Sequence, residues 1–190
     1  CGQCYITFVE THFESGLADR GLYNAGVCFG EAGKIDFAIS AYRYLTEYFP
    51  SSELAPETTY ELGRMYHRMA MYERAADAYE EYADTSPRGE NVRNALANAS
   101  QFRQGLGQYV AALETYGAYI SASDDEDEEE LQGIAEATYQ QGLIELRRNR
   151  RSAAIETFRG LVRRYGAALP SRALEAQVLI GEALAQGTSS

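Results

Sequence analysis

The sequence contains no run of about 18 consecutive apolar residues, the length a membrane-crossing helix needs, so no direct membrane span is expected. Proline occurs only four times, which leaves long segments free of breaks. Basic residues are scarce: 17 Lys and Arg stand against 28 Asp and Glu, for a formal net charge of -11 and a pI near 4.7. Each phosphate contact needs a cation, so this balance argues against nucleic acid and makes a basic or neutral protein partner electrostatically easier. The two histidines, His12 and His67, lie far apart, and there is no G-x-x-x-x-G-K-[ST], G-x-G-x-x-G, H-E-x-x-H or G-x-S-x-G. The chain therefore reads as non-enzymatic, with no catalytic residues and no cofactor.

Cysteine is equally sparse. Cys1 and Cys4 form a C-x-x-C, but a structural zinc site wants four ligands and no second pair follows, so no metal is expected. Cys28 reads as a buried apolar filler in a helix, and three cysteines at these positions do not suggest a disulfide framework.

What the sequence does have is a period. Tyr23 to Tyr60 is 37 residues, and at that offset Gly26 meets Gly63, Phe29 meets Tyr66, Ile35 meets Tyr72, Ala38 meets Ala75, Tyr42 meets Tyr79, Leu45 meets Tyr82 and Pro50 meets Pro87. One more step of 37 places Ser100, Arg103, Tyr109, Ala112, Tyr116 and Tyr119 in the same slots. The next step grows to 42 and lands on Gly142, Ala154, Phe158 and Leu161; the five extra residues coincide with the acidic run Asp124 to Glu130. A last helix puts Gly181 in the glycine slot.

A glycine inside a helix costs roughly 1 kcal/mol against alanine, so its recurrence within otherwise good helix formers needs a repaying contact. The expectation from spacing is close approach of the small residue twelve positions later, at Ala38, Ala75 and Ala154, with Phe29, Tyr42, Tyr66 and Tyr79 filling the wider space between hairpins.

Small residues, aromatics and a proline in these slots resemble the tetratricopeptide repeat, a hairpin of helices A and B. The resemblance covers nearly the whole chain and implies an all-α, right-handed superhelical array of antiparallel hairpins. The register divides the chain into an incomplete repeat over 1–18 (helix B), repeats over 19–55, 56–92 and 93–123, an acidic loop over 124–130, a repeat over 131–170, and a final helix A with tail over 171–190. Beginning in mid-hairpin points to a piece of a longer array, although Cys1 followed by Gly is also what remains after cleavage of a lipoprotein signal.

The resemblance further implies that the A helices line a concave groove for a peptide or protein partner within a multiprotein assembly. The groove residues it marks are Tyr23, Asn24, Tyr60, Arg64, His67, Arg68, Asn98 and Gln101. Tyr and Arg are frequent interface anchors, and asparagine can hold a peptide backbone. Some relatives clamp a terminal carboxylate with lysine and asparagine where this chain has Tyr23 and Val27, so that specialised role is not expected. The phrase FPSSELAPETTYELG looks like the repeat connection of bacterial envelope proteins, such as periplasmic coordinators of the Tol-Pal system, outer-membrane-assembly lipoproteins and gliding-motility scaffolds. It implies a periplasmic or envelope setting, with the cytoplasm as the alternative. A structural spacer, contacting mainly its own neighbouring repeats, is the second reading of function. For the acidic run, the reading is a flexible, self-repelling loop that also brings negative charge to the start of the next helix; it lacks the glycine and spacing of a calcium-binding loop.

Overall fold

The computed structural model describes residues 1–187, with Glu129 given by its backbone alone; the last three positions of the expected tail lie outside the described residues. Among the described residues there are ten α-helices and no strand. One compact unit, Cys1–Phe102, contains α1 (Gly2–Thr11), α2 (Ala18–Glu31), α3 (Ile35–Tyr48), α4 (Ala55–Arg68), α5 (Tyr72–Thr85) and most of α6 (Val92–Gly105). A second unit starts at Arg103 and holds α7 (Tyr109–Ala122), α8 (Glu128–Arg147), α9 (Arg151–Tyr165) and α10 (Pro170–Gly187).

The helices keep the register of the sequence. α2, α4 and α6 begin at residues 18, 55 and 92, and α3, α5 and α7 at 35, 72 and 109, each one period of 37 after the last. Their buried faces follow helical spacing: α3 buries Ala38, Ala41, Tyr42 and Leu45, and α5 buries Ala75, Ala78, Tyr79 and Tyr82 one period later. Each fully buried large side chain contributes about 1.5–3 kcal/mol, which exceeds anything helix propensity supplies at these positions.

The first helix of each hairpin is stopped in the same way four times. Gly33, Ala70, Gly107 and Asn149 have φ of 72°, 55°, 74° and 59°, the left-handed region that ends helices. After each, the next residue's N–H reaches back five residues: Lys34 to the Phe29 carbonyl (2.8 Å), Met71 to Tyr66 (2.9 Å), Gln108 to Arg103 (2.9 Å) and Arg150 to Glu145 (2.8 Å). Glycine adopts this conformation without a Cβ clash; at Ala70 it costs roughly 1 kcal/mol.

Glycine's partner is not the alanine expected from spacing. A Cβ added at Gly26 would fall onto the Tyr42 ring and one at Gly142 onto Phe158, while one at Gly63 would sit 2.6 Å from Tyr79. The hairpin thus closes by a ring, sixteen residues along, set against a bare patch of backbone. Ala38, Ala75 and Ala154 are fully buried nearby, because a ring of that size leaves room only for a methyl one turn before it. Tyr42 and Tyr79 accordingly sit against the glycine of their own hairpins and also reach the next one, Tyr42 at the gap between α2 and α4 and Tyr79 at Phe102 of α6, with ring centroids 6.4 Å apart. Phe29 also reaches across, since a Cβ at Gly2 of α1 would lie 2.7 Å from its ring.

Two further expectations are corrected. Cys28 is half-buried and paired in a disulfide with Cys1, their Cα atoms 6.0 Å apart, a separation such a bond spans. The pairing depends on how α1 packs on α2, which a spacing of 27 residues does not encode. Cys4, the other half of the C-x-x-C, is free and exposed. The acidic run is a loop only over residues 124–127, and it does bring negative charge to the start of the next helix. Its last three residues belong to α8, Asp127 accepts the Glu130 N–H (3.0 Å) as an N-terminal cap, and Glu130 accepts the Asp124 N–H (2.7 Å). Asp125 pairs with Arg164 of α9 at 2.5 Å. Carboxylates at a helix start satisfy its free N–H groups and meet a favourable dipole, which offsets their mutual repulsion.

Replacing Gly63 with leucine should drive its side chain into Tyr79 and destabilise the first unit by about 1–3 kcal/mol. A chemical denaturation midpoint equal to that of the parent protein would show that the ring does not occupy this slot.

Candidate functional site

In the first unit, α2 and α4 stand side by side and leave a cavity of about 340 Å³ between them, lined by Tyr23, Val27, Gly30 and Glu31 from α2, by Glu61, Arg64, Met65 and Arg68 from α4, and by Tyr42 from α3. The glycines and aromatics that close the hairpins determine this arrangement. Tyr23 rests on Tyr42 with ring centroids 6.0 Å apart, and Tyr60 rests on Tyr79 (5.6 Å) and Tyr82 (5.2 Å), so two tyrosine stacks flank the opening. Arg68 donates to the Gly30 carbonyl (3.2 Å), tying α4 to α2 across the cavity floor.

The electrostatics are mixed. Arg64 donates to Glu61 at 2.6 Å while keeping about half of its side chain, 52%, in solvent. Burial pushes the Glu57 carboxyl above its ordinary range, and the negative charges of Glu61 and Glu90 push it further, against Arg64 and a hydrogen bond with Asn91. Burial likewise raises the phenols of Tyr23 and Tyr60, and that of Tyr79 to about 12, so all three remain protonated donors near neutrality. Such a site offers hydroxyl donors, aromatic edges, an accessible guanidinium and carboxylates.

Of the residues marked from sequence, Tyr23, Arg64 and Arg68 line this cavity together. Tyr60 stands beside it in the second tyrosine stack. Asn24 is exposed on α2 outside the lining. His67 turns away, packing edge-on to Phe102 (4.7 Å) and against Tyr72 (6.1 Å). Asn98 donates to the Asn94 carbonyl of its own helix (2.8 Å), and Gln101 is exposed on α6.

Sequence reasoning missed a second cavity in the same unit, about 520 Å³, between α1, α2 and α3, with Ile6, Phe13, Phe29, Phe37 and Tyr44 on its walls. Phe37 and Tyr44 are 59% and 41% exposed. The signal was present: one period later these positions are Arg74 and Glu81, so aromatics occupy slots that the next repeat gives to solvent. In the second unit the corresponding helix face is already paired with itself. Tyr116 donates to Gln104 (2.7 Å), Gln104 to Gln140 (2.9 Å) and Gln140 to Glu136 (2.8 Å), and Arg172 donates to Glu136 (2.9 Å) and Glu175 (2.8 Å). Tyr139 completes the chain by donating to Glu175 (2.8 Å), and these two bonds, Tyr139 first, hold the Glu175 carboxyl below its usual range. Among the described residues no group of three or more His, Cys, Asp or Glu is placed to hold a metal ion, and no helix is long and apolar enough to cross a membrane.

The tetratricopeptide repeat family matches residues 20–52, the span of α2, its left-handed turn and α3. The match covers one repeat and leaves the rest of the chain unmatched. No curated protein matches its sequence. Among solved structures, a tetratricopeptide repeat protein from Parabacteroides merdae is similar at 17% identity with a TM-score of 0.61, over 90% of this chain and 62% of that one, so this chain spans less than two thirds of that protein. The MamA protein is similar at 19% identity and a TM-score of 0.59, over 90% of this chain and 88% of its own. YrrB, a tetratricopeptide repeat protein with an unusual peptide-binding site, is similar at 17% identity and a TM-score of 0.54, over 96% of this chain and 93% of its own. At these identities the likeness is one of fold, an all-α architecture of stacked helical hairpins.

The raised Glu57 carboxyl has a pH consequence. A carboxyl lifted above its unfolded value, about 4.3, adds stability below that pH and loses it as pH rises through the folded value. Glu57→Gln should therefore raise the melting temperature at about pH 7 and have little effect at about pH 3. An equal change at both would place its cause in something other than charge.

Proposed function

We propose that the chain is a non-catalytic scaffold whose α2–α4 groove holds an extended peptide or a partner's helix, one that brings a basic residue to Glu57 and Glu61 and an acceptor to Arg64. The observation that carries this reading is the convergence of Tyr23, Tyr42, Glu61, Arg64 and Arg68 on one cavity. The upward push on Glu57 supports it, since a carboxylate strained by burial and by neighbouring negative charge gains from a nearby cation. The peptide-binding site of YrrB, a similarly folded protein, is a precedent for the class of partner. A random-peptide display library panned against the chain tests it: selected peptides should bind with roughly tenfold lower affinity to Arg64→Glu and be indifferent to Phe37→Ser. Peptides sensitive to Phe37→Ser alone would transfer the function to the larger aromatic cavity, which its exposed rings favour as a second reading. A library that yields no binder would favour the spacer role.

We also propose an envelope setting, within a multiprotein assembly. The Cys1–Cys28 disulfide supports it, because such bonds persist in oxidising compartments. Protein isolated from its native source under thiol-blocking conditions should show Cys4 as the one alkylated cysteine by mass spectrometry. Alkylation of all three would argue for the cytoplasm.

A further inference from the structure

Helices α1, α3 and α5 belong to the same slot of successive repeats, and the gaps between them differ in chemistry. Between α3 and α5 the walls carry Arg43, Arg74, Asp77 and Glu81. Between α1 and α3, one period earlier, the same slots hold Ile6, Phe37, Ser40 and Tyr44, and these line the cavity of about 520 Å³. The repeat can thus close this gap with charged residues and does not need the rings. Both helices that bound the cavity are present, and the wall α1 supplies is the one turned to the following hairpin, where Arg43 of α3 stands one period later. The rings are held in place before anything binds. Phe37 packs on Phe29 (5.4 Å between centroids), Tyr44 stacks on Tyr48 (4.3 Å), and Phe13 meets both tyrosines edge-on (6.2 Å). Phe37, Tyr44 and Tyr48 nevertheless remain 59%, 41% and 52% exposed. Rings fixed in water around a pocket of ligand-binding size mark a docking surface.

We propose that this cavity docks an amphipathic helix of a partner protein, one that presents bulky apolar side chains flanked by Lys or Arg. Three observations select that occupant. The lining's polar side chains are few, Gln3, Glu10, Ser40 and the Tyr44 hydroxyl. They cannot pair an extended backbone, so the occupant must satisfy its own hydrogen bonds, as a helix does. The walls are neighbouring helices, and the groove between two helices takes the side-chain ridge of a third. The charge at the opening is negative: Glu10 lines it, Asp36 and Glu47 are exposed on α3, α1 has no Lys or Arg, and the one cation of α3, Arg43, lines the α3–α5 cavity. That sign attracts a cationic segment and repels acidic segments and anionic lipid headgroups. Burial of the apolar anchors among the rings supplies the affinity, and the carboxylates supply orientation and association rate. The cavity shares no lining residue with the α2–α4 groove, so either site can be lost without the other.

The probe is a synthetic fluorescent helix as long as α3, with leucine and phenylalanine on one face and lysine on the other, titrated with the protein and followed by anisotropy. Phe37→Arg combined with Tyr44→Glu installs the residues found one period later and keeps the net charge; it should weaken binding by about tenfold or more. Glu10→Lys should weaken binding severalfold, and the loss should shrink at high salt. Glu10 is exposed, so this variant reads the site even where the ring pair disturbs α3, and circular dichroism should show the parent's helical fold. Arg64→Gln, in the α2–α4 groove, should leave the probe's affinity unchanged. Equal affinity for the parent and the ring pair overturns the proposal. So does equal binding of a scrambled peptide of the same composition, which would be attraction by net charge alone, or of the same helix with glutamate in place of lysine. Parent self-association in sedimentation velocity that the ring pair abolishes also overturns it, because a second copy would then be the occupant.

Discussion

Three of the hairpins in this chain depend on an aromatic ring set against a glycine. A helix pair can come no closer than its side chains allow, and Gly26, Gly63 and Gly142 remove the side chain at the one position where Tyr42, Tyr79 and Phe158 arrive. The roughly 1 kcal/mol that each glycine costs its helix is small beside the burial of a ring to 1% or 2% exposure. With that distance set, the residues three before each glycine, Tyr23 and Tyr60, are brought onto the same rings, and the space left between α2 and α4 becomes the groove. The contact that holds the hairpin together therefore also shapes the groove beside it.

Much of this was legible in the residues. A period of 37 residues located the hairpins, because helical repeats bury the same face each time and the side chains that do so must recur. The recurring glycines were recognised as close contacts, but their partner was misassigned. Alanine at twelve residues and the ring at sixteen recur equally well, and only the direction in which a tyrosine lies over its own helix separates them. The left-handed stop after each first helix is written in Gly33, Ala70, Gly107 and Asn149; Ala70 breaks the chemical pattern while keeping the conformation.

The groove was legible in part, for a different reason. Slot numbers say which residues point away from the core, and Tyr23, Arg64 and Arg68 among them line one cavity. They do not say which exposed groups satisfy one another. His67 is absorbed by Phe102, Asn98 by its own helix, and the second unit's face by the chain from Tyr116 to Glu175. Such pairings depend on side-chain reach between neighbouring helices, and no single repeat contains that information. The Cys1–Cys28 disulfide escaped notice for the same reason: it is a contact between helices that the period does not relate.

The left-handed turn has a bearing on how the chain acquires its structure. Each five-residue hydrogen bond at Lys34, Met71, Gln108 and Arg150 closes a loop short enough to form before any distant contact exists. The ring reaches its glycine across only sixteen residues. Little chain entropy is spent in bringing such near neighbours together, so hairpins can form locally, and the search for the native state is largely a succession of short searches carried out in parallel. A chain organised this way tolerates the loss or addition of a hairpin at the level of its folding route, because no step waits on a contact between its two ends.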